Sequence, residues 1–129
     1  KALNLLPVQT ILKAPKTTTL SNFTWQDSTG RGYEIHMGQT TLKGGSPLLN
    51  ITARNAANCS DTDGCISDSK RVAGTYVHGF FDSPDILSRW LKTIGIDSSL
   101  FKVKITSKDM DYNLLKQHFE DHIDLSSIF

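Results

Sequence analysis

The chain is 129 residues long, and its 14 Lys and Arg against 13 Asp and Glu give a net charge of +1, too balanced for a nucleic-acid surface or a polybasic membrane anchor. Hydrophobic residues at 38% and charged residues at 21% are globular values, which excludes a disordered chain, and the length fits one domain or part of one. No apolar run reaches the ~18 residues of a membrane span, and the opening Leu3-Asn4-Leu5-Leu6-Pro7 is broken too early for a secretory signal, so a soluble, cytoplasmic chain with no membrane or nucleic-acid partner is expected. It begins at Lys1 and enters an apolar stretch at once, as a fragment of a longer protein would.

Through the first half, β-branched and aromatic residues gather between Gly, Pro and Ser breaks, which predicts strands. Residues 16–25, with three threonines, Leu20, Phe23 and Trp25, form one. Residues 33–37 form another, and alternation sends Tyr33, Ile35 and Met37 to one face and Glu34 and His36 to the other. Gly44-Gly45-Ser46-Pro47 is a turn, 48–52 a short strand, 55–63 a polar loop and 71–77 a further strand. The period then becomes helical, with Ser83 as N-cap, Pro84 at the first helical position and Asp85 in the first turn. Ile86, Leu87, Trp90, Leu91 and Ile94 fall on one stripe, and Gly95 is a natural stop. Residues 102–106 alternate like a strand, and a second helix is predicted over 109–123 with Met110, Leu114, Leu115, Phe119 and Ile123 on its apolar face. The expected fold class is α/β, a mixed sheet followed by two helices.

Cys59 and Cys65 stand six positions apart in a polar stretch, and they read as free thiols in preference to a disulfide or a metal site. His118 and His122 have the one-turn spacing of a zinc pair, but Phe119 stands where the H-E-x-x-H pattern needs glutamate, so no metal site is assigned. No glycine-rich phosphate loop occurs, so ATP binding is expected elsewhere. The stretch that can carry chemistry is Val72-Ala73-Gly74-Thr75-Tyr76-Val77-His78-Gly79-Phe80-Phe81-Asp82, a strand that ends at a histidine, turns at a glycine and enters the capped helix. Ligands bind beyond strand ends in open α/β sheets, and an imidazole there can take a proton from a nucleophile. On spacing alone, an ordinary polar terminus is the better reading of His78.

Two motifs change that balance. The run 74–82, with Gly32-Tyr33-Glu34-Ile35-His36-Met37-Gly38 upstream, resembles the C-terminal amidotransferase portion of the cobyric acid synthase family. The opening Leu3-Asn4-Leu5-Leu6-Pro7-Val8-Gln9-Thr10 and the closing stretch 112–125 follow the same order, so the resemblance covers nearly the whole of 1–129. It implies a single partial domain, the C-terminal portion of a class I glutamine amidotransferase domain of flavodoxin-like fold. The parent would be a glutamine-dependent, ATP-driven amide ligase of cobalamin biosynthesis, with a corrin substrate and with ATP and Mg bound by a separate synthetase domain. A related amidotransferase, of cobyrinic acid a,c-diamide or of cell-wall precursors, and a non-catalytic binding module are the rival readings.

The resemblance makes His78 the base for a cysteine nucleophile. Glu34, His36, Tyr33 and Gly79 become candidates for the substrate pocket or an interface, with a solvated strand face as the alternative for Glu34 and His36. Neither Cys59 nor Cys65 has the glycine-flanked context of a nucleophile elbow, so the chain alone is expected to be inactive. Many class I amidotransferases place a glutamate two positions after the histidine to orient it. Phe80 is here instead, which leaves the orienting group open. A chain with an uncovered apolar surface and sheet edge is also expected to self-associate, with 3–6 near the contact.

Overall fold

A computed structural model of the chain describes residues 3–97 and 108–122. They fall into two compact units, Lys1–Ile96 and Asp97–Phe129.

The first unit is built on a long hairpin of β1 (Val8–Trp25) and β2 (Ser28–Leu42). Both predicted strands are present and both run further than their hydropathy shows. Their outer ends are held by threonines that favour extended backbone, with the Thr10 and Thr40 hydroxyls 2.7 Å apart across the pair. The register shifts between Leu12 and Thr17, around Pro15, which has no N–H to give the ladder. A second hairpin joins β3 (Leu49–Arg54) to β4 (Ala57–Asp63). Residues 55–63 are therefore a turn and an edge strand, not a polar loop. Asn55 and Ala56 have φ of 47° and 67°, the positive pair that a two-residue hairpin turn requires. The Asn55 side chain and backbone also bond Leu20 of β1, at 2.9 and 2.8 Å.

Two short strands, β5 (Cys65–Ile66) and β6 (Ala73–Gly74), pair with each other, and β7 (Val77–His78) closes the main sheet. The single strand expected over 71–77 is split because a buried carboxylate takes the place of a neighbouring strand. Asp63 Oδ2 accepts from the Thr75 hydroxyl and from the Tyr76 N–H (3.0 Å), and Thr75 Oγ1 accepts the Val77 N–H at 3.0 Å. The main sheet has the order β4-β3-β1-β2-β7. Every described pairing in it is antiparallel, which corrects the expected mixed sheet.

One face of this sheet carries the core. Phe23, Trp25, Leu49, Ile51 and Val77 are buried there against Ile86 of α1 (Pro84–Thr93). A 3-10 turn, Phe80–Asp82, leads into that helix. Phe80 stacks on Phe23 at 5.9 Å between ring centroids and meets Trp25 edge-on at 5.4 Å. α1 starts and stops where its sequence predicts. Ser83 is the N-cap and Pro84 the first residue, although the Ser83 hydroxyl donates to the Thr29 carbonyl oxygen (3.3 Å) instead of to the helix. At the other end Gly95 N–H bonds the Lys92 carbonyl and Ile96 N–H bonds the Leu91 carbonyl, the paired Schellman closure.

The second unit contains α2 (Lys108–His122), close to the predicted 109–123. Its apolar residues do not share one face. At about 100° per residue, Tyr112, Leu115 and Phe119 fall on one side and Met110 and Leu114 on the other. Ile123 and the strand expected at 102–106 lie outside the described residues. No helix among the described residues is long and apolar enough to cross a membrane.

Candidate functional site

β2 divides the candidate residues between two faces. Its alternation holds, but the burial is the reverse of what hydropathy suggests: Glu34 is 2% exposed, whereas Tyr33, Ile35 and Met37 are all more than 40% exposed. Glu34 and His36 are thus not a solvated face.

On the inner face, Glu34 is the hub of a charged network that spans four strands. Its Oε1 accepts from the Ser21 hydroxyl of β1 (2.6 Å) and from Arg54 Nε of β3 (3.2 Å), and its Oε2 lies 3.2 Å from His36 Nε2. Arg54 Nη1 reaches on to Asp61 Oδ2 of β4 at 2.6 Å. His36 Nδ1 donates to the Gly38 carbonyl oxygen (2.8 Å), and its ring stacks on Tyr76 with centroids 3.9 Å apart. Burial acts most strongly on the Glu34 carboxyl and pushes its pKa up, but the Ser21 and His36 hydrogen bonds and the Arg54 charge together outweigh it and leave the pKa below the ordinary value. The hydrogen bond from Arg54 lowers Asp61, aided by the Thr62 N–H. Burial opposes the charge of Arg54, yet its two carboxylate partners raise its pKa. The network lines a cavity of about 710 Å³.

The outer face holds His78. It is exposed at the end of β7, directly across from Tyr33 in the β2–β7 register. The two rings stack with centroids 4.9 Å apart and planes 11° from parallel. Gly79 follows with φ 84°, a left-handed conformation that costs glycine little and turns the chain at once into the 3-10 turn. Gly32, next to Tyr33, lets β7 approach: a Cβ there would meet the His78 carbonyl oxygen and Val77 Cγ1. Tyr33, His78 and Gly79 are therefore brought together. Glu34 pairs with Val77 and points through the opposite face, so Glu34 and His36 do not join them.

The Cys59 thiol is remote from this imidazole. Cys59 lies on β4, separated from β7 by three strands, a distance of about 19 Å at the usual spacing between strands. Its Sγ is 3.8 Å from the Ile51 carbonyl oxygen, and the buried Cys65 Sγ is 3.9 Å from that of Gly44. Both cysteines are free thiols. Among the described residues no group of three or more His, Cys, Asp and Glu is arranged to hold a metal ion. On α2, His122 Nδ1 donates to the His118 carbonyl oxygen at 2.9 Å, which commits one ring nitrogen of His122 within its own helix.

Sequence reasoning missed Ser21, Arg54, Asp61 and Tyr76. Only Tyr76 lay inside a motif. The others become partners of Glu34 and His36 through sheet register, for which no local signal exists.

Comparison with known proteins gives a consistent set of relatives. A profile of the CobB/CobQ-like glutamine amidotransferase domain matches residues 1–86. A cobyric acid synthase of Chlorobium phaeobacteroides (strain BS1) is 44% identical over 98% of this chain and 26% of its own length. The cobyric acid synthase of Clostridium novyi (strain NT) is 35% identical over 100% of the chain and 27% of its own length. That of Chloroflexus aurantiacus is 39% identical over 72% of the chain and 20% of its own length. The chain spans about a quarter of the length of the first two relatives. No solved structure matches it.

Proposed function

The chain belongs to the CobB/CobQ-like glutamine amidotransferase domain family, and from that premise we propose that it is the C-terminal part of the glutaminase domain of a cobyric acid synthase, with His78 as the catalytic base. In this reading a cysteine outside 1–129 adds its sulfur to the side-chain carbonyl carbon of glutamine. His78 accepts the thiol proton and returns it to the departing ammonia, and water then releases glutamate from the thioester. A thiol is only a few per cent ionised at pH 7, so a free imidazole beside it is what the step requires. The observation that carries the reading is the placement of His78, exposed at a strand end and followed by Gly79 at φ 84°, where a nucleophile from another segment can reach it.

The flavodoxin-like layer of class I amidotransferases would be completed by sequence outside this chain, and the apolar outer face of β1 and β2 suits such a cover. Glutamine is the substrate of this part. The corrin substrate, ATP and Mg belong to the synthetase part. Glu34 and His36 serve the reading by fixing β2, and so Tyr33 and β7, in register.

The test is His78→Ala in the full-length protein. Glutamine-dependent amidation should fall by about 10²–10⁴, the usual worth of a general base, while amidation fed with free ammonia persists. Equal loss of both activities would make His78 structural. The 129-residue chain alone should release no glutamate from glutamine, and release abolished by Cys59→Ala or Cys65→Ala would overturn the external nucleophile.

A further inference from the structure

A base that accepts a proton from a sulfur must hold its ring plane, and the position that often carries an orienting glutamate in this class is occupied by Phe80. That side chain is committed to the core through Phe23 and Trp25. Glu34, the nearest buried carboxylate in sequence register, faces the other side of the sheet. Among the described residues neither nitrogen of His78 has a hydrogen-bond partner. One contact fixes the ring: Tyr33 lies parallel to it, 4.9 Å away and tilted by 11°.

We propose that Tyr33 is the positioning residue for His78, holding the imidazole by cross-strand stacking where related enzymes use a carboxylate. The inference rests on the reading of His78 as the base. Stacking suits the task geometrically, since a face-to-face partner restricts rotation of the ring while both nitrogens stay at its free edge. Cross-strand ring pairs stabilise the packed arrangement beyond their buried area, which favours the stacked rotamer over the others. The arrangement has its own support in the backbone. Tyr33 and His78 are register partners, and the bare Gly32 permits β7 to approach β2 closely enough for the rings to meet. The phenol oxygen plays no part, so phenylalanine should substitute fully and a non-planar side chain of similar bulk should not.

The experiment compares Tyr33→Phe, Tyr33→Leu and His78→Ala in the full-length synthetase, with glutamate release from glutamine and ammonia-fed amidation as readouts. Misplacing a catalytic group by about 1 Å can cost ~10²-fold. Tyr33→Leu should therefore lower kcat for glutamine hydrolysis by about 10- to 100-fold, with KM for glutamine and ammonia-fed amidation unchanged, and Tyr33→Phe should restore kcat to within about twofold of wild type. If His78→Ala abolishes hydrolysis while Tyr33→Leu keeps its kcat, the positioning role fails and the base assignment stands. Loss in Tyr33→Phe equal to that in Tyr33→Leu would overturn stacking in favour of the hydroxyl. If Tyr33→Leu loses ammonia-fed amidation as well, Tyr33 is structural and the proposal falls. Unchanged hydrolysis in His78→Ala would remove the base assignment itself.

Discussion

Glu34 keeps its charge in a nearly closed site because Ser21 of β1 and Arg54 of β3 each supply it with a donor, with His36 Nε2 of its own strand 3.2 Å away. The native carboxyl pKa lies below its ordinary 4.5, and that of Asp61 below its ordinary 3.8. Depressed native values mean that the unfolded chain binds these protons first. The network's contribution is fully present above the ordinary values and is lost as the pH falls through the lower native ones. Glu34→Gln should cost about 1.5–3 kcal/mol near neutral pH, the worth of hydrogen bonds to a charged group, and should flatten the acid limb. Urea midpoints followed from about pH 7 to about pH 3 check both effects, and a variant with an unchanged acid limb would show that Glu34 carries no pH-linked stability. At this scale the sequence shows that Glu34 and His36 share a face. It cannot show that the face is buried, because Arg54 and Asp61 arrive from 20 and 27 positions away through two further strands.

Elements with their own punctuation were legible and those defined by a neighbour were not. α1 was readable from Ser83-Pro84 to Gly95 because cap, stripe and stop all lie within it. β4 was not, since an edge strand with polar residues facing outward satisfies the sheet without any apolar pattern. The break between β6 and β7 depended on Asp63, twelve or more residues earlier. β7 itself is two residues long and is held beside β2 by close contact at Gly32. Gly32→Ala would force the added methyl against the His78 carbonyl oxygen and Val77, so we expect a loss of about 1–3 kcal/mol from overpacking. Because the displaced strand carries His78, glutamine-dependent activity should fall further than ammonia-fed activity in the same variant. Equal activities would show that β7 can shift without moving the imidazole.

For the whole chain, the outer face and the free edge of β2 are the exposed features of the first unit. Leu20, Tyr33, Ile35 and Met37 are open on that face, and β7 pairs with β2 only at Tyr33 and Glu34. We expect the isolated 129-residue chain to self-associate through this face, with the exposed Leu3 and Leu5 adding to the contact. Light scattering at micromolar concentration should report oligomers, and Ile35→Lys should shift them towards monomer; a monodisperse monomer for the unaltered chain would overturn the expectation. The packing around Phe80 and Phe81 adds an optical consequence. These residues follow His78-Gly79 directly, and each sets its ring edge-on to an indole, Phe80 to Trp25 at 5.4 Å and Phe81 to Trp90 at 5.0 Å. The chain has two tryptophans, and both border the segment that carries the imidazole. Their fluorescence is therefore a built-in gauge of that segment, and a ligand or domain that shifts His78 will register in the emission without any added label.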